Sequence, residues 1–315
     1  MTSVTSVTGA AVVAGAPPIP AFVNPRAGTA AQAGEALAAA GSAFAVREVE
    51  PAALPDALRE ALAGGARRVL VSGGDGTVAV AAAVLAGTGV ELALVPGGTL
   101  NHFARDHGIP TDAAEAVQLA AGGTVRAVDV GEVNGELFLN TSAVGAYVVF
   151  VRTRERLERY MGYRLASLVA GLRVLSAMPR FRVEVEVEGE TRSYLTPLVF
   201  VGVGERELRV PVLGGRVEGG AAALHLLVVR SRTATRLLTL SLALAARGVR
   251  AMTRTPALDA FLVDRCRVDM PRPRGYVALD GETRRLTAPL EYVLRRGALR
   301  VVVPEGEERG TGHEG

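Results

Sequence analysis

Over the first 130 residues, short apolar runs alternate with longer Ala-rich or amphipathic stretches. The runs are IPAFVNP at 19–25, AFAVREV at 43–49, RRVLVSGG at 67–74 and VELALVPGG at 90–98. Each is short, rich in β-branched residues and bounded by Gly or Pro, which predicts a buried strand. Between them lie an Ala-rich stretch ending near Ala40, LPDALREALA at 54–63 with Pro55 in its first turn, and TVAVAAAVLA at 77–86. These predict helices, and another follows over 111–121 behind a Thr111 or Asp112 cap. Strands separated by helices imply right-handed βαβ units. The fold class expected for 19–130 is therefore α/β, a doubly wound parallel sheet covered on both faces.

After about residue 130 the period changes to two. Phe181, Val183, Val185 and Val187 alternate with Arg182, Glu184, Glu186 and Glu188, and Gly189 follows. That pattern predicts an antiparallel hairpin with one wet face. AALHLLVVR, RCRVDM, GYVALDGETRRL, LEYVLRR and ALRVVVP read as further strands, so 131–296 is expected to be a mostly antiparallel β-sandwich domain. At 154–175, RERLERYMGYRLASLVAGLRVL sets Leu157, Met161, Leu165, Leu168, Leu172 and Leu175 at helical spacing, with Arg156, Arg159 and Arg173 elsewhere on the surface. This helix is expected to pack between the domains, with docking on anionic lipid as the competing reading. Residues 1–18 lack a charged signal-peptide region and are expected to be a disordered leader, and 305–315 a disordered tail.

Composition narrows the chemistry. All 35 basic residues are Arg. Without Lys, a Walker A loop, a protein-kinase strand lysine and a Schiff-base enzyme are excluded. Any grip on phosphate must come from backbone N–H groups, Arg, hydroxyls or metal. The single cysteine, Cys266, permits no internal disulfide, which points to a reducing compartment. The most apolar stretch, LLTLSLALAA at 237–246, is shorter than the roughly 20 residues of a membrane span. Charge is uneven: residues 1–130 hold 7 Arg against 11 acids, and 131–315 hold 28 Arg against 21. A basic second half suits an anionic surface, or reflects only the use of Arg in place of Lys.

Three loops at the ends of predicted strands carry the candidate chemistry. They are Asn24-Pro25-Arg26-Ala27-Gly28, then Gly73-Gly74-Asp75-Gly76-Thr77, then Gly97-Gly98-Thr99 with Asn101. In an open parallel sheet such loops converge outside the carboxyl ends of the strands. Glycines there let the backbone approach an anion and aim N–H groups at it, and Thr77 opens a helix whose N-terminus attracts anions. A carboxylate beside phosphates is repulsive unless Mg²⁺ stands between them, so Asp75 is the expected metal contact. The loops together predict a nucleotide-phosphate crevice. His102, His107 and His225 form no metal set by spacing, and Cys266 has no base near it in sequence.

GGDGT at 73–77, PGGTLNHFARDHGIP at 96–110, NPRAG at 24–28 and LDGE at 279–282 closely resemble the diacylglycerol kinase catalytic family, which includes bacterial lipid kinases and the sphingosine and ceramide kinases. The resemblance spans about 19–304. GGDGT alone is shared with NAD kinases and phosphofructokinases, whereas its PGGTxNxFAR companion is more specific. The resemblance implies an α/β ATP-binding domain over 19–130, rejoined by 297–304, a β-rich lipid-substrate domain over 131–296, and an active site between them. It implies ATP and Mg²⁺ as cofactors, the three loops as the ATP-phosphate site, Glu282 as general base and Asp280 beside it assisting metal or phosphate organisation. By sequence alone, Asp280-Gly281 is simply a hairpin turn.

The chain departs from the family twice. GGDGT continues as Val78-Ala79-Val80 rather than with an Asn-Glu pair, and RVEGG stands where an acidic Asp-Asp-Gly stretch is common, leaving Glu218 as the acid near a second-domain metal site. The expectation is a cytoplasmic ATP- and Mg²⁺-dependent lipid kinase, peripherally associated with the membrane. It acts on diacylglycerol or a similar long-chain lipid at a transient membrane surface and binds no nucleic acid; a homodimer is left open. The competing readings are an NAD kinase-like enzyme, disfavoured by the NHFARD continuation, and a non-catalytic nucleotide- or lipid-binding relative, favoured by the missing acids.

Overall fold

The computed structural model describes residues 17–177, 180–208, 213–217, 219–230 and 258–305. The chain divides into two compact units, Met1–Ala127 with Leu299–Gly315, and Val128–Ala298.

In the first unit, strands β1 (Ile19–Val23), β2 (Phe44–Glu48), β3 (Arg68–Gly73) and β4 (Glu91–Pro96) lie in the order β2-β1-β3-β4, every neighbouring pair parallel. Residues 300–301 of the final strand, Leu290–Val303, run parallel beside β4. Helices α1 (Ala30–Ala39), α2 (Leu54–Ala63), α3 (Asp75–Leu85), α4 (His102–Asp106) and α5 (Ala113–Gly122) connect them. The central strands β3 and β4 are buried almost throughout, because helices cover both faces: α1 packs with α5, and α2 with α3; the edge strand β2 is exposed after Phe44. Small side chains let the helices come close to the sheet. Ala33 and Leu37 of α1 and Ala116, Val117 and Ala120 of α5 meet Ala21, Leu70, Ala93 and Val95 of the sheet. Asp112 caps α5 by accepting the N–H groups of Ala114 and Glu115, each at 3.0 Å.

Strand β5 (Thr124–Val133) runs from the first unit into the second, which continues with β6 (Glu136–Phe138), β7 (Thr141–Gly145) and helix α6 (Ala146–Ala177). There follow β8 (Phe181–Val187), β9 (Glu190–Thr196), β10 (Leu198–Val203), β11 (Arg206–Leu208), β12 (Leu213–Arg216) and β13 (Leu224–Val229). The last are β14 (Leu258–Val263), β15 (Arg265–Asp269), β16 (Arg274–Leu279), β17 (Glu282–Thr287) and β18 (Leu290–Val303). One antiparallel sheet has the order β14-β13-β10-β7-β16-β17; in the other, β9, β8, β15 and β18 are neighbours, with β5 also on β18. Val199, Val201, Leu226 and Val277 of the first sheet share a core with Val183, Val185, Val268 and Tyr292 of the second. This is the expected sandwich. The buried Tyr292 hydroxyl is satisfied by Ser142 Oγ at 3.0 Å.

Three features differ from expectation. LEYVLRR and ALRVVVP form one strand, β18, which continues through Gly297 at φ 56°. Strands β5 to β7 were not anticipated, although Asn134-Gly135, with φ 50° and 86°, marks the tight turn between β5 and β6. The third concerns α6, which breaks at Gly162 (φ 72°, ψ 165°) into two helical segments. Its leucines face outward: Leu165, Leu168 and Leu172 are 50%, 59% and 59% exposed, while Ala166 and Ala170 are fully buried. The expected packing of that leucine stripe is overturned, because the inward face is the small alanine one. The Leu175 side chain, Glu218 and the LLTLSLALAA stretch lie outside the described residues. Among the described residues no helix is long and apolar enough to cross a membrane.

Candidate active site

The three glycine-bearing loops leave the carboxyl ends of β1, β3 and β4, and within the first unit they interlock. Asn24 is buried, donates from Nδ2 to Thr77 Oγ1 at 3.1 Å and accepts the Arg26 N–H on Oδ1 at 3.0 Å. One amide thus shapes its own loop and ties it to the second. Gly97 N–H donates to Gly73 O at 2.8 Å, and Gly28 N–H donates to Gly97 O at 3.1 Å, joining all three. The glycines are required by this closeness. A Cβ on Gly73 would lie 2.6 Å from Thr77 Oγ1, and one on Gly97 would lie 2.9 Å from Ala27 Cβ. On Gly98 it would lie 2.8 Å from Gly74 Cα.

That arrangement changes which donors face an anion. The N–H groups of Gly28, Gly97 and Gly98 are bonded within the protein, the last to Asn101 Oδ1 at 2.8 Å. The first turn of α3 is different. Val78 N–H reaches back to Gly74 O at 3.0 Å, whereas Asp75, Gly76 and Thr77 have no helical carbonyl behind their N–H groups. The dipole of an 11-residue helix adds positive potential at the same place. Thr99 and Arg26 are exposed beside it, Arg26 paired with Glu50 at 3.0 Å. Asn101 holds its turn with φ 49° and a second bond from Nδ2 to Gly98 O at 2.8 Å.

Asp75 sits in the first turn of α3, and its Oδ1 faces the Phe103 N–H at 3.4 Å. Among the described residues no three metal-ligating side chains cluster. A lone carboxylate at an anion-attracting helix end does not make a protein cage. It does fit a Mg²⁺ that keeps its waters and arrives on substrate phosphates. Sequence reasoning missed two groups here: Thr29, whose hydroxyl donates to Pro96 O at 3.2 Å, and Ser72, whose Oγ is buried without a partner among the described residues. Neither stands out in a motif.

In the second unit, β16 and β17 form a hairpin around Asp280-Gly281, with φ 48° and 87°, as the Asp-Gly dipeptide dictates. The Asp280 carboxylate does more than turn the chain. Oδ2 accepts the Leu139 N–H at 2.7 Å, and Oδ1 accepts those of Asn140 and Thr141 at 2.8 and 2.9 Å. Burial pushes this carboxyl up from its ordinary value, while the three donors and Arg206 pull it down. Three short N–H bonds favour the ionised form against that burial. Glu282 is the opposite case: its side chain is 52% exposed and accepts from Arg284 Nη2 at 3.0 Å. Two neighbours stand out in no sequence motif. Arg154 Nη2 donates to Gly281 O at 3.3 Å, and the Glu155 carboxyl is pushed up first by burial and further by the charge of Glu282, against the pull of Arg154.

The remaining singled-out residues serve packing. Burial pushes the Cys266 thiol up to about 12, so it holds little thiolate at neutral pH. His225 is buried on β13 and accepts the Arg206 N–H on Nδ1 at 3.0 Å, and burial lowers its pKa toward the neutral form. His107 packs against Phe103, ring centroids 4.6 Å apart.

Comparison with known proteins matches residues 18–133 to the diacylglycerol kinase catalytic domain. A protein of Pseudomonas syringae pv. tomato, named a probable YegS-like lipid kinase, is 34% identical over 260 residues, 78% of this chain and 79% of the relative. One of Pseudomonas fluorescens Pf0-1 with the same name is 32% identical over 265 residues, 79% of each chain. Among solved structures, a diacylglycerol kinase of Bacillus anthracis str. Sterne superposes with TM-score 0.66 at 20% identity, covering 92% of this chain and 97% of that one. A second solved chain from the same organism gives TM-score 0.72 at 24% identity, over 92% and 98%. These two share the fold.

Proposed function

Because the chain belongs to the diacylglycerol kinase catalytic family and is a lipid kinase, we propose that it transfers the γ-phosphoryl group of ATP to a hydroxyl of diacylglycerol or a similar long-chain lipid. The observation that carries this reading is the cradle in the first unit. Three interlocked loops present the unbonded N–H groups of Asp75, Gly76 and Thr77 at one helix N-terminus. Phosphoryl transfer asks little covalent chemistry of a protein. It needs phosphates held in place, their charge offset, and a base for the attacking hydroxyl.

The residues divide those roles. The first turn of α3 binds phosphate oxygens, with Thr99 and Arg26 exposed beside it to close on the nucleotide. Arg26 can exchange its exposed pairing with Glu50 for a phosphate at little cost. Asp75 would hold a magnesium ion carried in by ATP, which would offset the charge of the phosphates. Glu282 takes the proton of the lipid hydroxyl, being a carboxylate with accessible oxygens. Asp280 is a positioning residue, since its oxygens are engaged by backbone donors and its role is to fix the turn that presents Glu282.

The test is incubation with γ-labelled ATP, Mg²⁺ and a mixed lipid extract beside NAD. Label is expected in the lipid fraction. Label in NAD would establish the NAD kinase-like reading, and label in neither, with ATP still bound, the non-catalytic one. Asp75→Asn is expected to remove the Mg²⁺ dependence of ATP binding while leaving the melting temperature unchanged. An unaltered Mg²⁺ titration would refute the role given to Asp75.

A further inference from the structure

The second segment of α6 reverses the usual order of a helix on a globular protein. Helices bury their large apolar side chains and expose polar ones. Here Ala166 and Ala170 are inside, and Leu165, Leu168 and Leu172 are outside at half exposure or more. At 100° per residue the three leucines fall within about 60° of arc, roughly opposite the two alanines. They form an outward ridge about 10 Å long. Just before the break at Gly162, Tyr160 is 72% exposed, with Arg159 stacked over its ring at 4.8 Å. A contiguous exposed apolar ridge on a soluble fold marks something that covers it.

Charge selects the occupant. From Arg159 to Ala177 the sequence contains Arg159, Arg164 and Arg173 and no Asp or Glu. All three are exposed, Arg159 just before the break and Arg164 and Arg173 on the ridge's own segment, so that segment carries cations without acids. A protein partner's helix would ask for acids or hydrogen-bonding groups among the leucines, and a second copy of this chain would bring three more arginines against these. A bilayer with acidic headgroups satisfies both chemistries: leucines enter the headgroup–acyl boundary, arginines stay at phosphate level, and tyrosine suits the interface. We propose that the outer face of α6 beyond Gly162 is a membrane-docking surface that lies on anionic lipid. The inference deepens the lipid-kinase reading and rests on it for its purpose, since a long-chain lipid substrate resides in a bilayer.

Docking and catalysis are separated by measuring both. The full-length protein is sedimented with phosphatidylcholine vesicles, with and without phosphatidylglycerol, across a salt series. Wild type is expected to bind the acidic vesicles, and to weaken as salt shortens the screening length to about 8–10 Å and below. The combined Leu165→Asp, Leu168→Asp and Leu172→Asp variant should lose at least about tenfold in partitioning, equivalent to ~1.4 kcal/mol. Its melting temperature should hold, because the side chains are exposed. Phosphorylation of a short-chain diacylglycerol, monomeric in solution, should stay at the wild-type rate. Arg159→Ser with Arg164→Ser and Arg173→Ser should weaken binding and flatten its salt dependence. If the triple aspartate variant does not fold, Leu168→Ser alone should still lower partitioning. Wild-type partitioning in the folded leucine variants overturns the proposal. So does a wild-type dimer that the leucine variants turn into monomers with vesicle binding unchanged. Vesicle binding that depends on these residues, in a protein that labels no lipid, would keep the docking surface and remove the kinase reading. Short-chain turnover without vesicle binding would do the reverse.

Discussion

At the scale of single residues, two carboxylates two positions apart in the Asp280-Gly281-Glu282 turn have opposite environments. Asp280 accepts three backbone N–H bonds of 2.7–2.9 Å, whereas the Glu282 side chain is 52% exposed with one partner, Arg284. Free lone pairs are what a base needs, so the variants should part company. Glu282→Gln keeps the shape but cannot accept a proton. Its kcat on lipid is expected to fall by roughly 10²–10⁴, with stability changed by no more than about 0.5 kcal/mol. ATP affinity should be unchanged, since the residues proposed to bind phosphate belong to the first unit. Wild-type turnover would refute the assignment. Asp280→Asn puts an NH₂ group among N–H donors and leaves at least one of them unsatisfied, at a cost of about 1–3 kcal/mol for each. Denaturant unfolding should show that loss, and wild-type stability would mean that the carboxylate does not hold the turn.

At the scale of elements, the loops are built by contact between glycines, which makes one methyl group informative. In Gly98→Ala the new Cβ would sit 2.8 Å from Gly74 Cα and 2.9 Å from Asn101 Oδ1, so the second and third loops must part. ATP affinity should fall with a destabilisation of about 1–3 kcal/mol, the usual cost of overpacking. Gly34→Ala is the control: it lies in α1 with nothing within 4 Å of its Cβ, and should stabilise by up to about 1 kcal/mol without touching affinity. Equal affinity in both variants would refute the cradle. These loops were legible in sequence because three glycine-bearing turns follow predicted strands of one parallel sheet, where a single such turn often serves packing alone. The Asp-Gly hairpin and the period-two strand β8 were legible for the same kind of local reason. The outward leucines of α6 were not, because periodicity identifies a stripe but not the side on which the protein lies. Nor did sequence show that Asp280 anchors residues 139–141, a contact made across some 140 positions of chain.

At the scale of the whole molecule, β18 serves both units. Its residues 290–293 pair antiparallel with β15, and residues 300–301 pair parallel with β4. The chain leaves the first unit at Ala127 and re-enters it at Leu299, so the α/β sheet is closed by a strand made last. Leu299, Val301, Val302 and Val303 are each no more than 1% exposed. Burying such side chains stabilises by about 1.5–3 kcal/mol apiece. Four together amount to roughly 6–12 kcal/mol, comparable to the 5–15 kcal/mol by which a domain is stable at all. A chain ending at Ala298 would also leave β4 as an unpaired edge. It is therefore expected to lose ATP binding and to expose residues 19–127 to protease. The second unit keeps Leu290, Tyr292 and Leu294 in its own core and should retain a protease-resistant β-sandwich. The measurements are limited proteolysis with fragment masses, and ATP titration. Wild-type ATP affinity in the truncated chain would show that the first unit does not depend on its returning strand, and digestion of both units would show that the sandwich depends on it too.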